Sequence, residues 1–241
     1  MVQRYKEPIE RPKRFYKLAE VAKAGDRFAV LLDGREVRTP AGAPMRLPTR
    51  ALAELIAAEW AAQGEFVLIG EMHATRLANT ALDSIPAARE ATAQTVADYG
   101  GSDLTCYYAE GPQALIERQE AAWSPAVERV EQEFACAFVR ASGIVHQTQP
   151  EATLARLKAE ALALDDFRLA GLAFGVSLFG SAVLAFSLAR GWITGEQGFE
   201  VSRLDEAWQE EQWGVDAEAA ERTARLAGEA RMLEGWFRAL D

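Results

Sequence analysis

The 241-residue sequence predicts an α+β protein: a small N-terminal domain of antiparallel sheet plus one helix over residues 1–80, followed by a larger all-α domain, an orthogonal helical bundle, over 81–241. Three observations predict this. Residues 14–47 hold short apolar runs separated by Gly-containing turns. From Thr75 onward the apolar spacing becomes helical and stays so. Residues 169–189 are uncharged and rich in small side chains, as the buried centre of a bundle requires. With 49% hydrophobic and 26% charged residues, the chain is neither wholly disordered nor collagen-like.

The elements follow in order. RFYKLAEVA, RFAVLL and REVRT form a meander; its second turn is Asp33-Gly34, a dipeptide favoured where both central residues need positive φ. Pro40, Gly42, Pro44 and Pro48 end the strands, and Thr49 is placed to cap a helix reaching Gln63, with Leu52, Leu55, Ile56 and Trp60 on one face and Gly64 as a left-handed stop. Phe66–Ile69 reads as a further strand or an extended connection. RLANTALDSI puts Leu77, Ala78, Ala81, Leu82 and Ile85 on one face and Arg76, Asn79, Thr80 and Asp83 on the other, with an interruption near Pro86. That polar stripe, at the change from strands to helices, is read as a structural hinge network. Further helices are predicted over 87–98, 112–135 with Pro125 as a kink or break, 151–164, 167–189, 196–213 and 217–239, and a small hairpin over 137–147 about Ser142-Gly143.

Charge narrows the partners. The formal net charge of −10 gives no overall field for nucleic acid or anionic lipid. Residues 1–40 are nevertheless net +4 and residues 196–241 net −7, so the two ends either face each other or meet different partner surfaces. Cys106 and Cys136 lie thirty residues apart without a CxxC, which suits free thiols in a reducing compartment. The first 17 residues lack an apolar core and carry Glu7 and Glu10, unlike a signal or transit peptide, so a cytoplasmic, monomeric protein is expected. Residues 169–189 are long enough for a bilayer, but Gly171, Gly175, Ser177, Gly180, Ser181 and Ser187 dilute them and no Lys/Arg cluster orients them; a buried helix is expected.

Enzyme signals are weak. There is no GxGxxG or GxxxxGK[ST] loop, so no nucleotide and no other cofactor is expected. Gly175-Val-Ser177-Leu-Phe179 fails the GxSxG elbow at its last position. His73 and His146 are the only histidines and fall in different predicted domains, which argues against a metal site. One carboxylate stands out: Val201, Leu204 and Trp208 form a helical stripe that Glu211 continues. A carboxylate on an apolar face needs an arginine, a raised pKa or a partner. No arginine stands at helical spacing and the last 46 residues are acidic, so docking to a partner is the preferred reading of Glu211. Asp216 is placed to cap the final helix.

Six stretches, in order, carry a family resemblance: LLDGREVRTP (31–40), LPTRALAELIAAEWAAQ (47–63), TRLANTALD (75–83), DLTCYYAEGP (103–112), RQEAAW (118–123) and SRLDEAWQEEQWG (202–214). From about residue 14 to 214 the chain resembles the assembly chaperones of the ATP synthase catalytic head that handle its alpha subunit. The resemblance implies a small α+β domain before a helical one, no nucleotide, and binding of unassembled alpha subunit, protected from aggregation until beta subunit replaces the chaperone. It implies partner-binding roles for Gln209, Glu211 and Trp213 of the QxExWG element, and for Asp216; Glu210 departs from the apolar residue usual there. A bacterial cytoplasmic member is implied, eukaryotic relatives carrying an extension for the mitochondrial matrix. A hydrolase with an acidic site around Glu211 and Asp216 is the competing reading, and a membrane-tethered adaptor using 169–189 a third.

Overall fold

The computed structural model describes residues 12–214 and 217–241. Strands β1 (Ala19–Ala24), β2 (Arg27–Leu32) and β3 (Arg35–Glu36) form the expected antiparallel meander, Val21 opposite Val30 and Leu32 opposite Arg35. Asp33 and Gly34 have φ of 48° and 80°, the geometry for which that dipeptide is suited. Helix α1 (Arg50–Ala61) starts at Thr49, whose side chain accepts from Leu52 N, and lays Leu52, Ile56 and Trp60 over the sheet. Gly64 is not the left-handed stop expected. Ala62 is right-handed, and Gln63 closes the end instead, its amide donating to Glu59 O at 3.0 Å and accepting from Leu68 N at 2.7 Å. Phe66 adds no strand; it makes a single bridge to Lys13, and Ile69–Glu71 is a 3-10 turn.

Helix α2 (His73–Asp83) is started by a carboxylate from another element: Glu59 of α1 accepts from Ala74 N (2.7 Å), Thr75 N (2.8 Å) and the Thr75 hydroxyl (2.7 Å). Residue 80, where the sequence reading divides the chain, lies within α2. Then come α3 (Ile85–Gly101), with Pro86 in its first turn, where it is tolerated, β4 (Tyr107–Tyr108), α4 (Gln113–Phe134), which continues through Pro125, β5 (Ala141–Ser142) and α5 (Glu151–Leu162). The hairpin expected over 137–147 does not form. β5 pairs in parallel with β4 instead, because Gly143 (φ 79°) turns the chain so that its N–H donates to Tyr108 O at 2.8 Å.

The predicted single helix over 167–189 is two, α6 (Asp166–Phe179) and α7 (Ala182–Ala189). Gly180 takes a left-handed turn and Ser181 caps α7 through Leu184 N, so Ser181 serves a helix start rather than close packing, and Ser177 is exposed. Likewise 196–213 divides at Arg203 into α8 (Gly195–Ser202) and α9 (Leu204–Trp213), and α10 (Ala217–Leu240) closes the chain. No helix among the described residues is long and apolar enough to cross a membrane. Gly171 and Gly175 let α10 approach α6: a Cβ on Gly171 would lie 2.9 Å from Trp236 Nε1 and from Phe237 Cζ, and one on Gly175 3.2 Å from Leu233 Cδ2. One apolar cluster runs from Val30 and Leu52 through Leu172 and Val183 to Trp236; a second, of Leu115, Trp123 and Leu204, stands apart from it.

Candidate functional site

That second cluster is where three of the six sequence stretches meet. Asp103 begins the first of them and is fully buried; it accepts from Thr105 N (3.1 Å) and the Thr105 hydroxyl (2.8 Å), and from Val183 N (2.9 Å) at the start of α7. Burial pushes its carboxyl pKa up, against the pull of those hydrogen bonds. The anchor sets the path of Cys106, Tyr107 and Tyr108 beside α4. The Tyr108 ring meets Trp123 edge-on, with centroids 5.6 Å apart.

From α4, residues 118–123 reach in three directions. Gln119, almost fully buried, accepts from Ala109 N at 2.8 Å and donates to Asp205 Oδ1 at 2.6 Å, joining the β4 strand to α9. Trp123 Nε1 donates to Val201 O at 3.0 Å, fixing α8. Arg118 grips Glu211 with two hydrogen bonds of 2.9 Å, Nη1 to Oε2 and Nη2 to Oε1, its guanidinium 6.0 Å from the Trp208 ring centroid.

The residues proposed from sequence are thus distributed. Glu211 has an arginine after all, supplied 93 residues away by α4, where spacing within one helix cannot find it. Val201, Leu204 and Trp208 do share one apolar cluster although the helix breaks at Arg203, but Glu211 lies outside it, its side chain half exposed. The Arg118 hydrogen bonds hold its carboxyl below the usual carboxylate range. Gln209 is exposed, and Trp213, at the last turn of α9, is 78% exposed. Glu210, the departure from the family pattern, pairs with Arg203 at 3.0 Å. Asp216 lies outside the described residues.

A groove of about 800 Å³ opens beside α9, with Tyr107, Tyr108 and Trp123 along it, Ile144 on one wall and Asp205, Glu206 and Gln209 on the other. The Ile144 wall is hung from Tyr107, whose hydroxyl lies 3.1 Å from His146 Nδ1 and accepts from Gln147 N at 3.3 Å. Ile144 is fully exposed and Val145 68% exposed. Sequence reading missed this loop because its apolar residues resemble those of a buried strand.

The other singled-out residues have separate places. Arg76 donates to Gly70 O (3.2 Å), Thr80 to Arg76 O (3.2 Å), and Asp83 accepts from Ala41 N (3.1 Å), so the polar stripe ties α2 to two loops instead of forming one network. His73 Nδ1 is 4.0 Å from Glu229. Cys106 and Cys136 are free thiols, and burial, the largest influence, pushes the Cys106 pKa up to about 12, leaving it unreactive. Among the described residues no three His, Cys, Asp or Glu side chains gather as a metal would need.

A family model described as ATP12 chaperone protein matches residues 13–131. The crystal structure of Atp12 from Paracoccus denitrificans is similar with a TM-score of 0.87 and 36% identity, covering 95% of this chain and 99% of that one. A structure from Agrobacterium tumefaciens, described as a candidate chaperone, gives a TM-score of 0.89 and 38% identity over 95% of this chain and 87% of that one. The mitochondrial Atp12 protein of Schizosaccharomyces pombe is 24% identical over 228 residues, covering 89% of this chain and 78% of that protein.

Proposed function

The chain belongs to the ATP12 chaperone family, and from that premise we propose that it is an ATP synthase assembly chaperone that binds the unassembled alpha subunit of the catalytic head, without nucleotide, and keeps it from aggregating until beta subunit takes its place. The observation that carries this reading is the end of α9. Trp213 stands 78% exposed beside exposed Gln209 and the Arg118–Glu211 pair, on a corner whose apolar cluster is separate from the main core. A large aromatic side chain held in water at a helix end is suited to a partner surface. In this reading Gln209, Glu211, Trp213 and Asp216 contact the subunit, and the protein works as a monomer in the bacterial cytoplasm.

The hydrolase alternative is disfavoured by the state of its central group. A carboxyl held ionised by a bidentate arginine is poorly suited to donate a proton as a general acid. Light scattering of denaturant-diluted alpha subunit tests the proposal. The protein should suppress aggregation with or without ATP, and added beta subunit should release it. Trp213→Ala should reduce capture by about tenfold or more while the melting temperature stays unchanged, since so exposed a side chain contributes little to packing. Undiminished aggregation in the presence of the unaltered protein would end the proposal.

A further inference from the structure

We propose that the groove beside α9 receives an extended protein segment in which a lysine or arginine neighbours a bulky apolar side chain; this rests on the partner-binding reading above and names the part of the partner that is gripped. The groove joins two chemistries. Its length is aromatic and apolar, from the partly exposed Tyr107 and Tyr108, backed by the buried Trp123, to the fully exposed Ile144. Its rim is acidic, with Glu110, Asp205 and Glu206, and among the described residues no Lys or Arg lines it, His146 being the basic side chain there.

Asp205 is partly satisfied by Gln119, whereas Glu110 and Glu206 have no ion-pair or hydrogen-bond partner for their carboxylates among the described residues. Several other acids are paired across elements, as in Arg118–Glu211, Arg140–Glu131 and Arg190–Glu160, and neither carboxylate of the groove is held by a cation of this kind. Unpaired carboxylates beside an exposed apolar wall favour a cation and repel an acidic segment, so charge selects the occupant and the aromatic lining supplies contact area. Gln209 lines the same groove, which makes it continuous with the corner that carries Trp213.

The test uses the full chain and labelled ten-residue peptides followed by fluorescence anisotropy. A peptide alternating Lys with Leu and Phe should bind about tenfold or more tighter than one with Glu in place of Lys, and tighter than one with Ser in place of Leu and Phe. The double variant Glu110→Gln/Glu206→Gln should keep its melting temperature and lose about tenfold in affinity for the cationic peptide, and about 0.5 M salt should weaken the unaltered protein's binding. Equal binding of the acidic peptide, or undiminished binding by the double variant, would overturn the inference. The two readings separate cleanly. If the double variant captures alpha subunit normally, the groove is not the grip and the chaperone reading survives; if the cationic peptide binds while alpha subunit is not captured, the groove chemistry stands and the alpha-subunit reading falls.

Discussion

The seam between α6, α8 and α10 and the corner between α4 and α9 both join distant stretches of chain, yet the seam rests on close glycine packing and the corner on side-chain hydrogen bonds. At the seam, glycines bring helices together: a Cβ on Gly195 would sit 2.1 Å from Ala230 O, and Gly171 and Gly175 accommodate Trp236, Phe237 and Leu233. The polar links lie among these close approaches: Trp236 Nε1 donates to Phe167 O at 3.1 Å, Gly195 N to Glu234 Oε2 at 2.9 Å and Arg168 Nη2 to Leu240 O at 3.0 Å. At the corner, hydrogen bonds from Arg118, Gln119 and Trp123 hold α9, α8 and the β4 strand. The difference teaches that two joints of one chain can answer to different physical demands. A close-packed seam answers to volume, while a polar corner keeps its outer side chains in water, where the proposed partner would meet them.

The seam should break most severely. Gly195→Ala sets a methyl group against a backbone oxygen that cannot rotate away, so α8 must separate from α10; the expected outcome is the largest fall in melting temperature of any variant here. Gly171→Ala meets only side chains, but they are buried and Trp236 must leave its hydrogen bond to make room. Its expected cost is about 1–3 kcal/mol, with Tm lowered by roughly 2–4 °C per kcal/mol in a chain of this size, and protein still folded at low temperature should capture alpha subunit normally. Calorimetry beside a capture assay checks both; lost capture with unchanged melting would mean that the seam is not purely structural.

Gln119→Ala sharpens the comparison, because Gln119 is the corner's buried member. Its loss strands the Ala109 N–H and the Asp205 carboxylate, for about 1–3 kcal/mol, and frees α9 to move. Melting and capture should therefore fall together, unlike at the seam. The smallest effect belongs to Glu211→Gln. Arg118 and Glu211 are both exposed, so solvent screens the pair and the melting temperature at neutral pH should barely change. The sign of its pH dependence follows from a folded-state pKa held below the ordinary value: the small contribution is present above that ordinary value and lost as pH falls through the lower one. The two proteins should thus melt alike in acid. A large loss at neutral pH would show the corner to be as structural as the seam.

Legibility in the sequence followed the range of the interaction. The Asp33-Gly34 turn, the Thr49 cap and the amphipathic face of α2 are written within a few residues, and the structure has each of them. Residues 103–112, 118–123 and 202–214 were visible as stretches of interest, but nothing in them announced that they meet. Gly64 and Ser142-Gly143 failed for the same reason: the end of α1 is closed by Gln63, and Tyr108, more than thirty residues back, takes the pairing that a local hairpin would have used.

By itself, then, the sequence determined the α+β class and the places where sheet gives way to helix, because those rest on backbone preferences and periodic burial that repeat over a turn or a strand, while the family resemblance rested on six particular stretches in order. Only the tertiary structure decided which partner each polar group found. Glu211 received Arg118 from α4, and the uncharged run over 169–189 turned at Gly180, where Ser181 caps the second half and Asp103 accepts from Val183 N. Such pairings depend on the packing of whole helices, and a carboxylate or an amide forms the same hydrogen bond wherever in the chain its partner originates.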